Sequence, residues 1–319
     1  MNLVKTKIIL IGMLATFSLF ASITPAVAYS MSQQYDMDIF DTLQKNAWYL
    51  PTADGQARLY VTSFGHGPTV IVLHGGPGND FHYLMDALRP LANQYRFELF
   101  DQRGSLLSPV PCDEVSKLTM QDLVNDIETL RQSLGQEKII LLGHSFGTLL
   151  AEFYFKAYPQ RVAGMVLAGA VPPRTPVGGF GHFIRDVHHR QDELQKRPEV
   201  SRVERAAGLP AGNGDKLTHQ EAMHKFKIEA ASIDLYHVDR WRELQGGGVY
   251  YNQKVDDAIG DSLPNSYDIS PALRIHAVPI SIIQGDHDYI DPSASLWIED
   301  MHGMGNVRVY VLKDAGHYS

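Results

Sequence analysis

Three segments of the chain carry the side chains that an activated serine needs for hydrolysis: a hydroxyl, an imidazole and a carboxylate. The hydroxyl lies in Gly143-His144-Ser145-Phe146-Gly147, between an apolar run and a helix-forming segment. Because a sharp turn from strand to helix crowds the backbone, the positions around its serine require small residues such as glycine. Such a turn also places the hydroxyl at a helix N-terminus, where N–H groups favour a developing negative charge. We therefore predict that Ser145 is a nucleophile.

A serine hydroxyl needs a base to take its proton, and a carboxylate usually holds that base in one tautomer. The predicted base is His317, which follows the apolar run 307–312; the competing histidines are His144, His287 and His302. The predicted acid is Asp288, which follows the apolar run 279–284; the competing acids are Asp286, Asp291 and Asp314. Both side chains come after a strand, where an open parallel sheet places its ligands.

A glycine-rich turn at 74–78, with the sequence HGGPG, follows the apolar run 69–73. It supplies a second requirement of this chemistry, because a tetrahedral intermediate carries a negative charge that must meet preorganised donors. We predict that the backbone N–H groups of Gly76 and Phe146 are these donors, with Gly75 as the alternative to Gly76.

The catalytic segments lie among predicted strands and helices. Apolar runs, which predict strands, alternate along the chain with stretches of helical periodicity. The predicted strands are 69–73, 96–100, 139–142, 162–167, 279–284 and 307–312, and the predicted helices are 119–134, 146–158 and 292–304. This alternation indicates an α/β fold, with a mostly parallel sheet and helices on both faces. The segment 171–272 interrupts this alternation. It is rich in charged residues, histidine and glycine, and it has helix-like pieces at 182–196 and 219–244. We interpret it as an inserted, mainly helical lid. The predicted division is a signal peptide at 1–28, the first part of the core at 29–170, the lid at 171–272 and the second part of the core at 273–319.

The first residues have the pattern of a signal peptide. Lys5 and Lys7 precede the apolar run 8–21, and Ala26-Val27-Ala28 is a small-x-small cleavage pattern. An uncleaved membrane anchor is the alternative, but the run is short for a bilayer span. We predict cleavage after Ala28, a secreted or periplasmic location, and no stable membrane insertion after cleavage.

Composition excludes several other classes of protein. Of 319 residues, 44% are hydrophobic and 20% are charged, which is ordinary for a globular protein with a substantial core. The net charge of −8 argues against nucleic acid as a partner, since phosphate binding needs clustered Lys and Arg. The single cysteine, Cys112, has no intrachain partner. His188-His189 has no partner at metal-ligand spacing, so we predict no metal site. These features leave the oligomeric state open.

Five motifs together resemble a known family: HGGPG at 74–78, DQRG at 101–104, GHSFG at 143–147, GDHD at 285–288 and AGH at 315–317. The pattern is similar to that of the prolyl aminopeptidase (proline iminopeptidase) family of α/β-hydrolases, over roughly 67–167 and 279–317. The resemblance implies the α/β-hydrolase fold and a serine peptidase that removes an N-terminal residue, often proline, without metal or cofactor. Family members more often carry GGSWG where this chain has His144 and Phe146.

The resemblance also implies acidic lid side chains that hold the free amine of the substrate. The candidates here are Glu204, Glu229, Asp234 and Asp239, of which we assign Glu204 and Glu229. Arg103, in DQRG, is expected to brace the active-site loops. The segment 246–252 is either a lid hinge or an ordinary loop. Because this fold normally finishes with a helix, we expect the native protein to extend beyond Ser319.

The predicted function is therefore release of N-terminal residues, of the proline type, from short peptides through an acyl-enzyme. The first alternative is a carboxylesterase or another hydrolase of small esters and amides, because the same three side chains serve all acyl transfers. The second alternative is an inactive binding protein of the same fold. A small peptide or ester is the expected partner in the first two cases.

Overall fold

The computed structural model describes residues 44–210, 217–244 and 251–318. The predicted signal peptide and residues 246–250 of the predicted hinge lie outside these ranges. Both therefore stay predictions, and N-terminal sequencing of the mature protein is the measurement that tests the first. Among the described residues, no helix combines the length and the apolar character needed to cross a bilayer.

One eight-stranded sheet forms the centre of the molecule. Its strands are β1 (Ala47–Pro51), β2 (Arg58–Gly65), β3 (Thr69–Leu73), β4 (Arg96–Phe100), β5 (Ile139–His144), β6 (Val162–Ala168), β7 (Ile280–Gly285) and β8 (Val307–Leu312). Their spatial order is β1-β2-β4-β3-β5-β6-β7-β8. β1 and β2 run antiparallel to their neighbours, and all pairs from β4 to β8 are parallel. The predicted α/β fold with a mostly parallel sheet is confirmed.

Helices cover both faces of this sheet. They are α1 (His82–Leu88), α2 (Met120–Ser133), α3 (Phe146–Ala157), α4 (Phe180–Gln195), α5 (Pro198–Ala206), α6 (His219–Asp234), α7 (Gln253–Ser262), α8 (Ser270–Ile275) and α9 (Ser295–Asp300). Successive residues of β3 point to opposite faces, as the pleat requires. Ile71 and Leu73 pack in one apolar cluster with α2 and α3. Val70 and Val72 pack in a second cluster with α1.

The helix α2 begins where the sequence predicts. Thr119 accepts a hydrogen bond from the backbone N–H of Asp122, while the Asp122 carboxylate accepts from the Thr119 backbone N–H. This reciprocal cap satisfies donors that the first turn of a helix otherwise leaves unpaired.

Between β6 and β7 the described chain forms the helices α4 to α8 and a 3-10 helix, Val238–Glu243. This region is the predicted lid, and its buried side chains pack against the core. Phe183 and Val187 join the cluster on one face, and Ile228 and Trp241 join the other. The boundary predicted at residue 272 falls inside α8, and the division of the chain into domains stays a prediction.

Candidate active site

Ser145 lies at the turn between β5 and α3, in a backbone conformation that few side chains adopt. Its φ is 54° and its ψ is −125°, a region where a residue with a side chain is strained. The flanking glycines make this turn possible. A Cβ atom on Gly143 would lie 2.5 Å from the carbonyl oxygen of Gly147, and one on Gly147 would lie still closer to that of Leu73. The spacing of these glycines is thus a packing requirement.

His317 and Asp288 meet in the interior, although they leave different strands. The His317 Nδ1 atom lies 2.9 Å from Asp288 Oδ2, and the two residues are 3% and 1% exposed. The other carboxylate oxygen of Asp288 accepts the backbone N–H of Ile290 at 2.8 Å. Because an ionised carboxylate only accepts hydrogen bonds, Nδ1 of His317 carries a proton and donates it to Asp288. In the neutral ring, Nε2 then holds a lone pair.

Two opposing effects act on the protonation of His317. Burial lowers its pKa, because a buried site disfavours the charged ring, and the negative charge of Asp288 raises it. Burial is the largest single effect, but the charge and hydrogen bond of Asp288 together with the charge of Asp234 outweigh it, so the pKa of His317 lies above its usual value of 6.5. The Nε2 atom is buried and has no hydrogen-bond partner among the described residues. This nitrogen is therefore a base without a competing ligand.

The turn around Ser145 lies against the segment that carries His317. The ring of His144, the residue before Ser145, has its centroid 4.9 Å from that of His317. A Cβ atom on Gly169, just after β6, would lie 2.7 Å from His317 Cε1. The hydroxyl of Ser145 makes no hydrogen bond to His317 Nε2 in the described part of the chain. In enzymes without bound substrate such bonds are often long, and they tighten in the Michaelis complex.

The competing acids and bases have other partners or lie at the surface. Asp286 lies 2.6 Å from His287 Nδ1 and accepts the backbone N–H of Ala315 at 3.2 Å. Asp291 accepts the hydroxyl of Ser295 at 3.1 Å. Asp314 and His302 are exposed. Of the four candidate acids, only Asp288 forms a hydrogen bond with His317 among the described residues.

The backbone donors of the turn at 74–78 differ in availability. The N–H of Gly75 donates to the hydroxyl oxygen of Tyr83 at 2.6 Å. No acceptor for the N–H of Gly76 is found within the described ranges. Phe146 is the first residue of α3, so its N–H has no carbonyl one turn earlier within the helix. The geometry thus favours Gly76 over Gly75 as the donor that acts with Phe146, an assignment that remains a prediction.

The DQRG segment, residues 101–104, forms hydrogen bonds with the glycine-rich turn at 74–78. Gln102 donates its backbone N–H to Nε2 of His74 at 3.1 Å and its side-chain amide to the His74 carbonyl at 3.0 Å. Asp101 accepts the backbone N–H groups of Phe81 at 3.4 Å and Leu107 at 2.9 Å. Burial raises the pKa of Asp101 to about 7. The hydrogen bonds with the turn itself are therefore made by Gln102, next to the arginine that the sequence singled out, while Asp101 bonds the segments on either side.

Arg103 anchors the same segment to the body of the protein. Its Nε and Nη2 atoms donate to the two oxygens of Asp126 in α2, at 2.7 and 2.6 Å. Its Nη1 atom donates to Asp54, in the β1–β2 connection, at 2.7 Å. The side chains of Arg103 and Asp126 are only 3% and 1% exposed. This buried bidentate pair fixes where the DQRG segment leaves β4.

Glu204 and Glu229, the acids assigned to the substrate amine, lie on neighbouring lid helices, α5 and α6. Burial raises the pKa of Glu229, Lys225 opposes that rise, and the negative charge of Glu204 adds to it. Glu229 also lies 3.8 Å from the ammonium group of Lys225. These two acids therefore form a group within the lid, partly neutralised by a lysine. Their assignment to the substrate stays a prediction.

Asp234, the last residue of α6, is the lid acid that lies next to His317. Its carbonyl oxygen accepts the backbone N–H of Tyr318 at 3.1 Å, and a Cβ atom on Gly316 would collide with that oxygen. Its side chain is fully buried, and neither carboxyl oxygen has a hydrogen-bond partner in the described structure. Burial raises the pKa of Asp234 to about 8, although the attraction of His317 opposes the rise. The site thus contains a second carboxyl group.

Two contributors to the site were not found from the sequence. The hydroxyl of Tyr83, on α1, lies 2.9 Å from His144 Nδ1 and bonds the turn at Gly75. Arg190, on α4, donates to the carbonyl of Ile290 at 2.7 Å and also to that of Tyr289, so the lid is attached to the Asp288 loop. Neither residue belongs to a motif, and a lone tyrosine or arginine on a helix carries no signal of such a contact.

The sheet order is that of an α/β-hydrolase, and a family model described as alpha/beta hydrolase fold matches residues 68–319. A proline iminopeptidase from Xylella fastidiosa is 39% identical over 306 residues, which cover 83% of this chain and 88% of the relative. The chain therefore belongs to the proline iminopeptidase family of α/β-hydrolases. It is an enzyme, a serine hydrolase, and the alternative of an inactive binding protein is set aside.

Solved structures show the same fold in more distant proteins. A proline iminopeptidase-related protein from Thermus thermophilus superimposes with a TM-score of 0.57 at 24% identity, covering 86% of this chain and 91% of that one. The naproxen esterase from Bacillus subtilis superimposes with a TM-score of 0.55 at 17% identity, covering 93% of each chain. At these identities the similarity is one of fold.

Proposed function

We propose that this enzyme releases the N-terminal residue, above all proline, from short peptides that have a free amine. Ser145 is the proposed nucleophile, His317 the general base and Asp288 the acid that orients it. The observation that carries the proposal is the buried carboxyl group of Asp234 beside His317. An ester carries no cation near its carbonyl group that requires such a partner, whereas a peptide with a free N-terminus does.

The proposed chemistry forms and breaks two covalent bonds. His317 Nε2 takes the hydroxyl proton of Ser145 while the serine oxygen bonds to the substrate carbonyl carbon. The carbonyl oxygen becomes negatively charged and accepts the N–H groups of Gly76 and Phe146. His317 then gives its proton to the leaving amine as the C–N bond breaks, which leaves an ester on Ser145. Water, deprotonated by His317, cleaves that ester, and the proton returns to the serine oxygen.

Electrostatics favours Asp234 as the partner of the substrate amine. With a pKa of about 8, its carboxyl group is mostly protonated at neutral pH when no cation is near. A substrate ammonium group would favour the ionised form, and both oxygens are free to accept its N–H groups. A charge-assisted bond in a buried site is stronger than a neutral one. The proximity of Asp234 to His317 would hold that amine next to the bond that is cut.

We predict that Asp234→Asn lowers kcat/KM for proline 2-naphthylamide by about 100-fold, because loss of one partner of a buried charge pair costs roughly 2–5 kcal/mol. The variant keeps the shape of the side chain and removes its charge. Turnover of p-nitrophenyl acetate, which has no amine, should change less than about threefold. Both substrates are assayed at one pH on the upper plateau of the wild-type pH profile, so that protonation of His317 does not enter the comparison.

The matched controls for this experiment are Glu204→Gln and Glu229→Gln, which remove charges from the lid acids of α5 and α6. If either control loses the naphthylamide activity while Asp234→Asn keeps it, the amine binds Glu204 or Glu229 and the assignment to Asp234 is wrong. If the wild-type enzyme cleaves proline 2-naphthylamide and its N-acetyl form equally well, it does not recognise an amine. Ester turnover without any aminopeptidase activity would favour the carboxylesterase alternative.

A pH profile tests the proposed base. His317 acts as a base only when neutral, and Asp288 raises its pKa above 6.5. The rate should therefore be full at high pH and fall as the pH drops through a midpoint above 6.5. The measurement is kcat/KM for p-nitrophenyl acetate from pH 5.5 to 9, with circular dichroism at each pH to show that the fold is intact. A midpoint at or below 6.5 would contradict the predicted influence of Asp288.

A further inference from the structure

A continuous set of hydrogen bonds runs beneath Ser145, through two side chains that the proposed reaction does not use. The backbone N–H of Gly75 donates to the Tyr83 hydroxyl at 2.6 Å, and that hydroxyl lies 2.9 Å from His144 Nδ1. On the other side of the ring, His144 Nε2 lies 3.4 Å from the carbonyl oxygen of His317. Two side chains thus connect the glycine-rich turn, the serine turn and the histidine segment.

The direction of these bonds follows from the groups themselves. The Tyr83 oxygen accepts from Gly75, so its single proton is free to be donated to His144 Nδ1. The carbonyl of His317 can only accept, so His144 Nε2 must carry the ring proton. This tautomer satisfies all three contacts. The opposite tautomer would place the lone pair of Nε2 against a carbonyl oxygen.

Burial maintains this arrangement. Tyr83 and His144 are 4% and 3% exposed. Burial, followed by repulsion from His317, lowers the pKa of His144 well below 6.5, so its ring stays neutral and Nδ1 remains an acceptor. Aromatic packing also holds the Tyr83 ring in place. It lies edge-on to the rings of His144 and Tyr318, with centroid separations of 5.5 and 5.7 Å.

We propose that Tyr83 and His144 are positioning residues that hold the His317 segment and the glycine-rich turn in register with Ser145. The inference rests on the proposed roles of Ser145 and His317. By accepting the N–H of Gly75, Tyr83 fixes the peptide group between His74 and Gly75, which directly precedes the peptide group that carries the N–H of Gly76, the predicted oxyanion donor. By binding the His317 carbonyl, His144 fixes the backbone from which the base extends. Neither side chain touches the reacting atoms.

Small displacements of a base or an oxyanion donor cost much of the rate, because the reacting atoms must approach in one geometry. We therefore expect Tyr83→Phe, which removes only the hydroxyl, to lower kcat for p-nitrophenyl acetate by about tenfold with less than a twofold change in KM. The labelling rate of Ser145 by a fluorophosphonate should fall by the same factor. His144→Leu, which removes both nitrogens, should give a similar loss.

Two further variants separate positioning from general damage to the fold. His144→Gln keeps an amide that can donate to the His317 carbonyl, so it should retain kcat within about threefold of the wild type. The double variant Tyr83→Phe/His144→Leu should be no slower than the slower single variant, because residues that act as a unit are not additive. Melting temperatures within about 5 °C of the wild type would show that all four proteins are folded.

Full activity in both Tyr83→Phe and His144→Leu would overturn the proposal. So would losses that multiply in the double variant, or a His144→Gln variant as slow as His144→Leu. These outcomes do not depend on amine recognition, because neither the ester nor the fluorophosphonate carries an amine. Failure of the proposed nucleophile is recognised separately, since wild-type Ser145 would then not be labelled at all.

Discussion

Replacing Ser145 by alanine should abolish turnover of both proline 2-naphthylamide and p-nitrophenyl acetate, with kcat lower by about 10⁴- to 10⁶-fold. The effect is large because Ser145 is the proposed nucleophile, and without its hydroxyl the acyl-enzyme cannot form. Any remaining rate would come from the oxyanion donors and from substrate binding, which act without the serine. Steady-state kinetics on both substrates provides the measurement.

Fluorophosphonate labelling provides the matched control for this experiment. Wild-type enzyme and Ser201→Ala, which alters an exposed serine on α5, should both be labelled, whereas Ser145→Ala should not. Undiminished turnover by Ser145→Ala, or labelling of that variant at the wild-type rate, would refute the proposed mechanism. The substitution relieves no packing constraint, because alanine has nearly the shape of serine, so the variant should fold normally.

The second large effect concerns stability, and it arises from Arg103. Arg103→Met leaves the carboxylate of Asp126 buried without a counter-charge, which costs about 3–5 kcal/mol in comparable pairs. Since whole domains are stable by only about 5–15 kcal/mol, this loss is a large share of the total. Urea unfolding followed by circular dichroism measures the change in the free energy of unfolding. Activity at low temperature should fall as well, because the DQRG segment supports the turn at 74–78.

A double variant separates two costs of removing Arg103: the cost of leaving the Asp126 carboxylate buried and unpaired, and the cost of losing the hydrogen bonds between the two side chains. Arg103→Met/Asp126→Leu replaces both partners by apolar side chains, which is often neutral or stabilising for a buried ion pair. We expect it to recover most of the stability that Arg103→Met loses. If the single and double variants are equally unstable, the cost lies in the contact of Arg103 with Asp54 or in packing, and the account given for Asp126 is wrong.

Much of the sheet follows from the sequence alone. The strands predicted at 69–73, 96–100 and 307–312 agree with β3, β4 and β8 at both ends. The strand β3 is almost entirely buried and is a continuous apolar run after Thr69, so its end coincides with the first polar residue, His74. The helices α1, α5, α7 and α8 escaped prediction because they are short, and too few turns are present for the helical period to stand out.

Local motifs are equally informative where the backbone itself is the constraint. The glycines on either side of Ser145 are readable in the sequence because no other residue fits beside the carbonyl oxygens that surround this turn. The same holds for the cap at Thr119, whose partner is three residues away. Such features depend on atoms that are close along the chain, so residue type and spacing suffice.

Contacts between segments that are distant along the chain could not be predicted from residue type and spacing. The sequence offered four acids as possible partners of His317. In the fold Asp288 bonds His317, whereas Asp286 bonds Ala315 and His287. Among the lid acids, Asp234 lies beside His317 because α6 ends there, whereas Glu229 has Lys225 as its neighbour. The sequence does not distinguish a carboxylate that faces water from one that contacts a lysine or a catalytic histidine. Which of these it meets depends on how helices and loops pack, and that information is spread over the whole chain.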